Sequence, residues 1–248
     1  MNNYQFEVCA NSVESCLAAQ KGGATRVELC AAIPEGGTTP SYGEIKVARK
    51  MLNTTKLHVI IRPRGGDFLY SEVEQLSMIE DIRMCRELGV DGVVIGCLLP
   101  DGNIDVELTK RLVAEAGDMS VTFHRAFDMC KDPFKGLEDV ISTGCNRILT
   151  SGQENTAYEG IDLLTKLNKL AYNRIVILAG CGVKETNIKE ISERTGIKEF
   201  HFSAREEIAS GMIFKNDKVS MGGVVKIEEY SRNVTTAKRV EDTILALK

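Results

Sequence analysis

Residues 57–96 read LHVIIRPRGGDFLYSEVEQLSMIEDIRMCRELGVDGVVIG and hold one complete unit of the fold. Leu57–Arg62 is a short run rich in β-branched residues, which suit a pleated and buried strand. Glu72–Leu88 then sets apolar residues three and four apart, the spacing of a helix packed along one side of a sheet. Gly89 ends that helix, because the left-handed backbone that stops a helix is cheapest for glycine. Gly92–Gly96 follows as a second apolar strand. Two strands joined through a helix run parallel, with a right-handed crossover.

The unit recurs in both directions. Phe6–Ala10, Arg26–Cys30, Ser120–Arg125, Arg147–Thr150, Ile175–Ala179 and Glu199–Phe202 bring the strand candidates to eight. Ile104–Ala116 is a second clear amphipathic stretch, and further helix ends fall near Gly22, Gly23, Gly117, Gly144 and Gly196. The final stretch, Val224–Lys248, spaces Val234, Ala237, Val240, Ile244 and Leu247 as a helix would and is expected to close the ring. Eight such units favour a closed α/β (β/α)8 barrel, the TIM-barrel layout, over an open sheet. No linker rich in Pro, Gly or Ser interrupts 1–248, so the chain is expected to be one domain.

Composition narrows the function classes. With 43% hydrophobic and 27% charged residues, the chain can bury a sizeable core. A net charge of -4 and the lack of a basic run argue against a nucleic-acid partner. The opening MNNYQFEVCANSVES has no cationic start leading into an apolar stretch, and no later segment offers ~18 uninterrupted apolar residues, so no membrane association and a cytoplasmic address are expected. Eight cysteines without a C-x-x-C pair read as reduced thiols rather than a disulfide framework.

In a barrel of this kind, chemistry belongs at the carboxyl ends of the strands. Glu7 and Cys9 share one face of the first strand, and Arg26, Glu28 and Cys30 share one face of the second. The two thiols, expected at similar height, are either small buried hydrophobes or ligands for a soft ion such as Cu(I). Arg62 and Arg64 flank Pro63 ahead of two glycines, a pattern suited to a carboxylate or phosphate, with surface pairing to Asp67 as the plainer alternative. The fifth strand ends in His124, Arg125 and Asp128, where Asp128 could hold His124 in one tautomer for proton transfer. His58, low on the third strand, reads as structural, and His201 is left open. After the sixth, seventh and eighth strands come Ser151, Gly180 with Gly182, and Ser203 with Ala204, small residues of the kind that line a phosphate cradle.

The blocks ELCAAIPEGGTTPS (28–41), IRPRGGDFLYS (61–71), VTFHRAFDM (121–129), RILTSG (147–152) and HFSAR (201–205) resemble the CutC copper homeostasis family. The resemblance implies a cytosolic (β/α)8 barrel that self-associates and handles copper through cysteines, for which Cys9 and Cys30 stand at the matching positions. A second reading uses more of the polar residues: an enzyme acting on a small phosphorylated or carboxylated metabolite. There Arg62 and Arg64 would bind the anion, with Arg125, Ser151, Gly180, Gly182 and Ser203 at the same mouth. Glu7 or Glu28 would exchange protons with His124, oriented by Asp128.

Overall fold

The computed structural model describes residues 4–222 and 228–247. Strands β1 (Gln5–Ala10), β2 (Arg26–Leu29), β3 (Lys56–Ile60), β4 (Gly92–Ile95), β5 (Ser120–Phe123), β6 (Arg147–Thr150), β7 (Val176–Gly180) and β8 (Glu199–Phe202) form a closed parallel barrel. Helices α1 (Val13–Lys21), α2 (Tyr42–Met51), α3 (Glu72–Glu87), α4 (Val106–Ala116), α5 (Pro133–Thr143), α6 (Ile161–Ala171) and α7 (Ile188–Thr195) occupy the crossovers. β8 pairs with β1 in register Glu7 to His201, which closes the ring.

Sequence punctuation places the helices. Ser41 and Ser71 cap α2 and α3, with Glu44 and Glu74 returning the bond to the cap backbone. Gly117, Gly144 and Gly196 end α4, α5 and α7 with positive φ.

The expected C-terminal helix is shorter than its apolar spacing implied. Two further strands, β9 (Arg205–Ala209) and β10 (Ser231–Thr235), pair antiparallel outside the barrel, and Val234 belongs to β10. Only α8 (Ala237–Leu245) is helical, because the Thr236 side chain caps it at that point. The start expected at Val224 lies outside the described residues.

Alternation along each strand separates two interiors. Phe6, Val8, Val27, Leu29, Leu57, Val59, Val93 and Ile95 point outward into the apolar layer beneath the helices. The residues between them face the lumen, and many are polar: Glu7, Arg26, Glu28, His58, Thr122 and His201 are all buried. At the floor, Arg26 pairs with Glu7 and, at 2.8 Å, with Glu199, while Arg147 reaches Glu199 at 3.3 Å. Burial is expensive for isolated charges, and here each is matched by an opposite one.

Glycines within the strands make room for the lumen's rings. A Cβ on Gly92 would stand 2.5 Å from His58 Nε2, and one on Gly96 would stand 2.2 Å from His124 Nδ1. A Cβ on Gly180 would stand 2.4 Å from Leu149 Cδ1 and 3.1 Å from His201 Cβ. Each ring therefore lies across a neighbouring strand that offers no side chain of its own.

Candidate functional site

Above the charged floor a cavity of about 420 Å³ opens at the carboxyl ends of the strands. Its wall includes Cys9, Glu28, Cys30, Arg62, His124 and His201. A volume of this size suits a small metabolite.

On the β1–β2 side the Sγ atoms of Cys9 and Cys30 stand 4.0 Å apart. The strand register sets Cys9 against Glu28, so Cys30 begins one lumen-facing step higher than Cys9 rather than level with it. Arg205, at the root of β9, places Nη2 at 3.3 Å from Cys9 Sγ and 3.1 Å from the Cys9 carbonyl. The hydrogen bond from Cys30 holds the Cys9 thiol well below its ordinary range, with His201 and Arg205 outweighing the opposing effect of burial. Cys30, as the donor of that bond and itself buried, is pushed well above the usual thiol value.

His201 organises the carboxylates beside these sulfurs. Its Nδ1 lies 2.7 Å from Glu7 Oε1, and its Nε2 lies 3.7 Å from Glu28 Oε2. Burial opposes the charged ring, but bonds to Cys9 and Glu7 and the field of Glu28 raise His201 well above its usual value. Burial likewise resists ionisation of Glu7, yet the Arg26 guanidinium and His201 hold its carboxyl well below the ordinary range. Glu28 has no guanidinium on it, and burial, with Cys9 and Glu7 adding to it, pushes it up to about 8 against the pull of His201. The ring of His201 thus sits between the two carboxylates, which makes a metal shared by Glu7, Glu28 and His201 a poor fit. Cys9, Glu28 and Cys30 also bring one ligand atom each within 4.8 Å of one another, and they do so with no ring in between.

The opposite wall is built by Arg62 and His124. Arg62 Nη1 donates to the carbonyls of Glu35 and Gly37, Nη2 donates to Gly66, and the guanidinium lies 4.9 Å over the Phe68 ring. His124 Nδ1 accepts from the Ala126 backbone N–H at 3.1 Å, so Nε2 carries the hydrogen. Burial, aided by Arg62, lowers His124 to about 3. It is a neutral hydrogen-bond donor at ordinary pH, the state in which an imidazole can polarise an oxygen without carrying charge.

Several residues picked from the sequence stand elsewhere. Asp128 does not hold His124: its carboxylate accepts from Arg125 Nε at 2.7 Å, from both the backbone N–H and the hydroxyl of Ser151, and from the Gln153 N–H. Arg125 remains on the cavity wall, whereas Ser151 is wholly buried and engaged by Asp128 and the Glu154 carbonyl. Arg64 faces away, paired with Asp67 at 3.0 Å and with Glu74. Gly182 and Ser203 line the cavity, while Gly180 serves the packing of His201 and Leu149. Glu7 is sealed beneath and reaches the cavity only through His201.

His201 and Arg205 join the site although the strand pattern leaves the first open and gives no sign of the second. The signal for His201 was barrel closure, which brings β8 beside β1 and sets His201 level with Glu7. Arg205 had no such signal, because its reach to Cys9 depends on where β9 leaves the barrel.

The cysteine pair, the arginine-lined wall and the closed barrel coincide with one family model, described as the CutC family, which matches residues 4–206. The chain belongs to the CutC family. A family protein CutC from Bacteroides thetaiotaomicron is 66% identical over 248 residues, covering 100% of both chains. One from Porphyromonas gingivalis is 55% identical over 240 residues, covering 97% of this chain and 96% of the other. A CutC crystal structure from Streptococcus agalactiae, assigned to copper homeostasis, superposes with a TM-score of 0.77 at 36% identity, covering 81% of this chain and 98% of that one. The CutC family match ends close to the start of β9, so most of the outer hairpin lies beyond it.

Proposed function

We propose that the chain handles copper by binding Cu(I) between the thiolates of Cys9 and Cys30. The observation that carries this reading is the pair of sulfurs on the cavity wall, 4.0 Å apart. That spacing is a little under two metal–thiolate bonds of about 2.3 Å each, and sulfur is the ligand a soft Cu(I) ion prefers. Cys9 is the readier thiolate, and Cys30 must surrender its proton as the ion enters, so binding releases protons and tightens as pH rises. Two thiolates around one Cu(I) carry a net negative charge. Protonated His201 and Arg205 stand beside Cys9 to offset it. All eight cysteines of the chain are free, which suits a reducing, cytoplasmic compartment.

The experiment is an anaerobic Cu(I) titration of the reduced chain against a competing chelator, beside the Cys9→Ser, Cys30→Ser double variant. One tight site, lost in the double variant, is the expected result. Equal weak binding in both would sink the copper reading.

A further inference from the structure

We propose that the Arg62–His124 wall of the cavity is a receptor for the oxyanion of a small metabolite, a carboxylate or a phosphate monoester. The proposal rests on residues separate from the thiol pair and does not depend on the copper reading.

Arg62 is 4% exposed, and among the described residues no carboxylate lies within ion-pairing distance of it. Arginine stays protonated in proteins, so this is a full buried charge with no countercharge. Three backbone carbonyls solvate its Nη atoms, but they supply dipoles and no negative charge. Its Nε is buried without a hydrogen-bond partner. Asp67, which the sequence places nearby, is committed to Arg64 instead. Arg26, another buried cation of the lumen, has two carboxylates. The contrast is chemical: the floor is neutralised by the chain itself, and the mouth is left for something else to neutralise.

The second, independent observation is His124, 5% exposed, whose Nε2 is also buried without a partner. Its Nδ1 is tied to the Ala126 N–H, which leaves Nε2–H as a donor with nothing to donate to. Unsatisfied buried donors are rare enough to call for a ligand or ordered water. Gly96 leaves this ring its place, and Gly36, at φ +89, brings its backbone close under Arg62 Nη1. An added Cβ would foul the ring in the first case and approach the guanidinium at 3.0 Å in the second. Arg62 and His124 share the cavity wall with Ile60 and Phe68, so the pairing of a charged end and an apolar body fits a short organic acid or phosphate ester. An oxyanion there would supply the missing countercharge of Arg62 and accept from the neutral imidazole of His124.

The test is isothermal titration of the metal-free, chelator-treated chain at fixed ionic strength, with inorganic phosphate in one arm and acetate, malonate and succinate in the other. Saturable one-site binding at about 1 mM or tighter in either arm is expected, and the arm that binds tells phosphate from carboxylate. Arg62→Lys, which keeps the charge but not the planar fork, and His124→Phe, which removes the donor, should each weaken that binding about tenfold or more. Arg64→Ala, outside the cavity, should leave it unchanged. Should Arg62→Lys fail to fold, His124→Phe and the ¹⁵N shift of His124 Nε2 in the unmodified chain decide the matter. No saturation in either arm, or binding undiminished in the folded variants with an unmoved Nε2 shift, would overturn the proposal.

Discussion

Exchanging Glu7 for glutamine keeps the shape of the side chain and removes one charge from beneath the site. Glu7 has no exposure, one oxygen faces His201 at 2.7 Å, and the other is paired with Arg26. Neutralising one partner of a buried pair generally costs about 3–5 kcal/mol, because the other charge is left unmatched in a poor solvent. Arg26 retains Glu199 at 2.8 Å, and the amide oxygen can still accept one bond, so the lower end, about 3 kcal/mol, is expected. The amide also turns an NH2 toward one of two donors, which prevents a smaller loss. Denaturant unfolding of Glu7→Gln and the unmodified chain, followed by circular dichroism near pH 6, reads the difference as a shifted midpoint at constant slope. A second readout is the titration of His201 by NMR, which should move down toward the ordinary value of 6.5 as the Glu7 bond is lost. A loss under about 1 kcal/mol together with an unmoved His201 would mean that the pair behaves like a solvated surface contact, and the reasoning would fail.

Two further outcomes follow from the same geometry. Between pH 4.5 and about 8 the unfolded chain ionises Glu28 while the folded chain keeps it protonated, so stability falls as pH rises through that window. His201, raised in the folded state, adds stability that is full below 6.5 and lost as pH rises through its folded value. Glu7, lowered, adds stability that is present above 4.5 and lost as pH falls through its folded value. His58 and His124, both lowered to about 3 by burial, cost stability as pH falls below 6.5 and together outweigh the opposite slope of Glu28 there. Thermal melting of the metal-free chain should therefore show an optimum a little below 6.5, with a flatter alkaline limb in Glu28→Gln. An optimum at or above pH 8 would contradict the assignment. Gly96→Ala puts a carbon 2.2 Å from His124 Nδ1 and 2.8 Å from Ala126 Cβ, so a loss of about 1–3 kcal/mol is expected. An unchanged melting curve would show that the ring can move aside.

Why the barrel was legible and the site only partly so has a physical reason. A parallel strand buried on both faces announces itself locally, and Gly92–Ile95 or Arg147–Thr150 can be read without knowing any neighbour. A site is made across strands, and its contacts depend on register and closure. Arg62 follows directly from its strand, and its side chain does line the cavity. Asp128 lies four residues from His124, yet the short 3₁₀ turn at Arg125–Met129 carries its carboxylate to the loop after β6, where it organises Ser151 and Gln153. Arg64 lies two residues from Arg62, but the turn at Gly65 and Gly66 aims it at Glu74. The outer hairpin escaped because Val234 fits a helical spacing as well as a strand, and only its pairing with Glu206 settles which it is.

The four charges sealing the barrel floor, Glu7, Arg26, Arg147 and Glu199, bear on how the molecule can change over generations. Loss of any one unbalances the set, and loss of Glu199 leaves Arg147 without a carboxylate. Single-step variation there should therefore be selected against, while a concerted exchange for well-packed apolar residues can be neutral or stabilising. The set should pass between lineages as a block, retained whole or replaced whole. Glu7 ties that block to His201, and through it to the thiols above. A lineage that rebuilt its floor as an apolar layer would have to find another way to orient the imidazole, and so would be revising its chemistry along with its core.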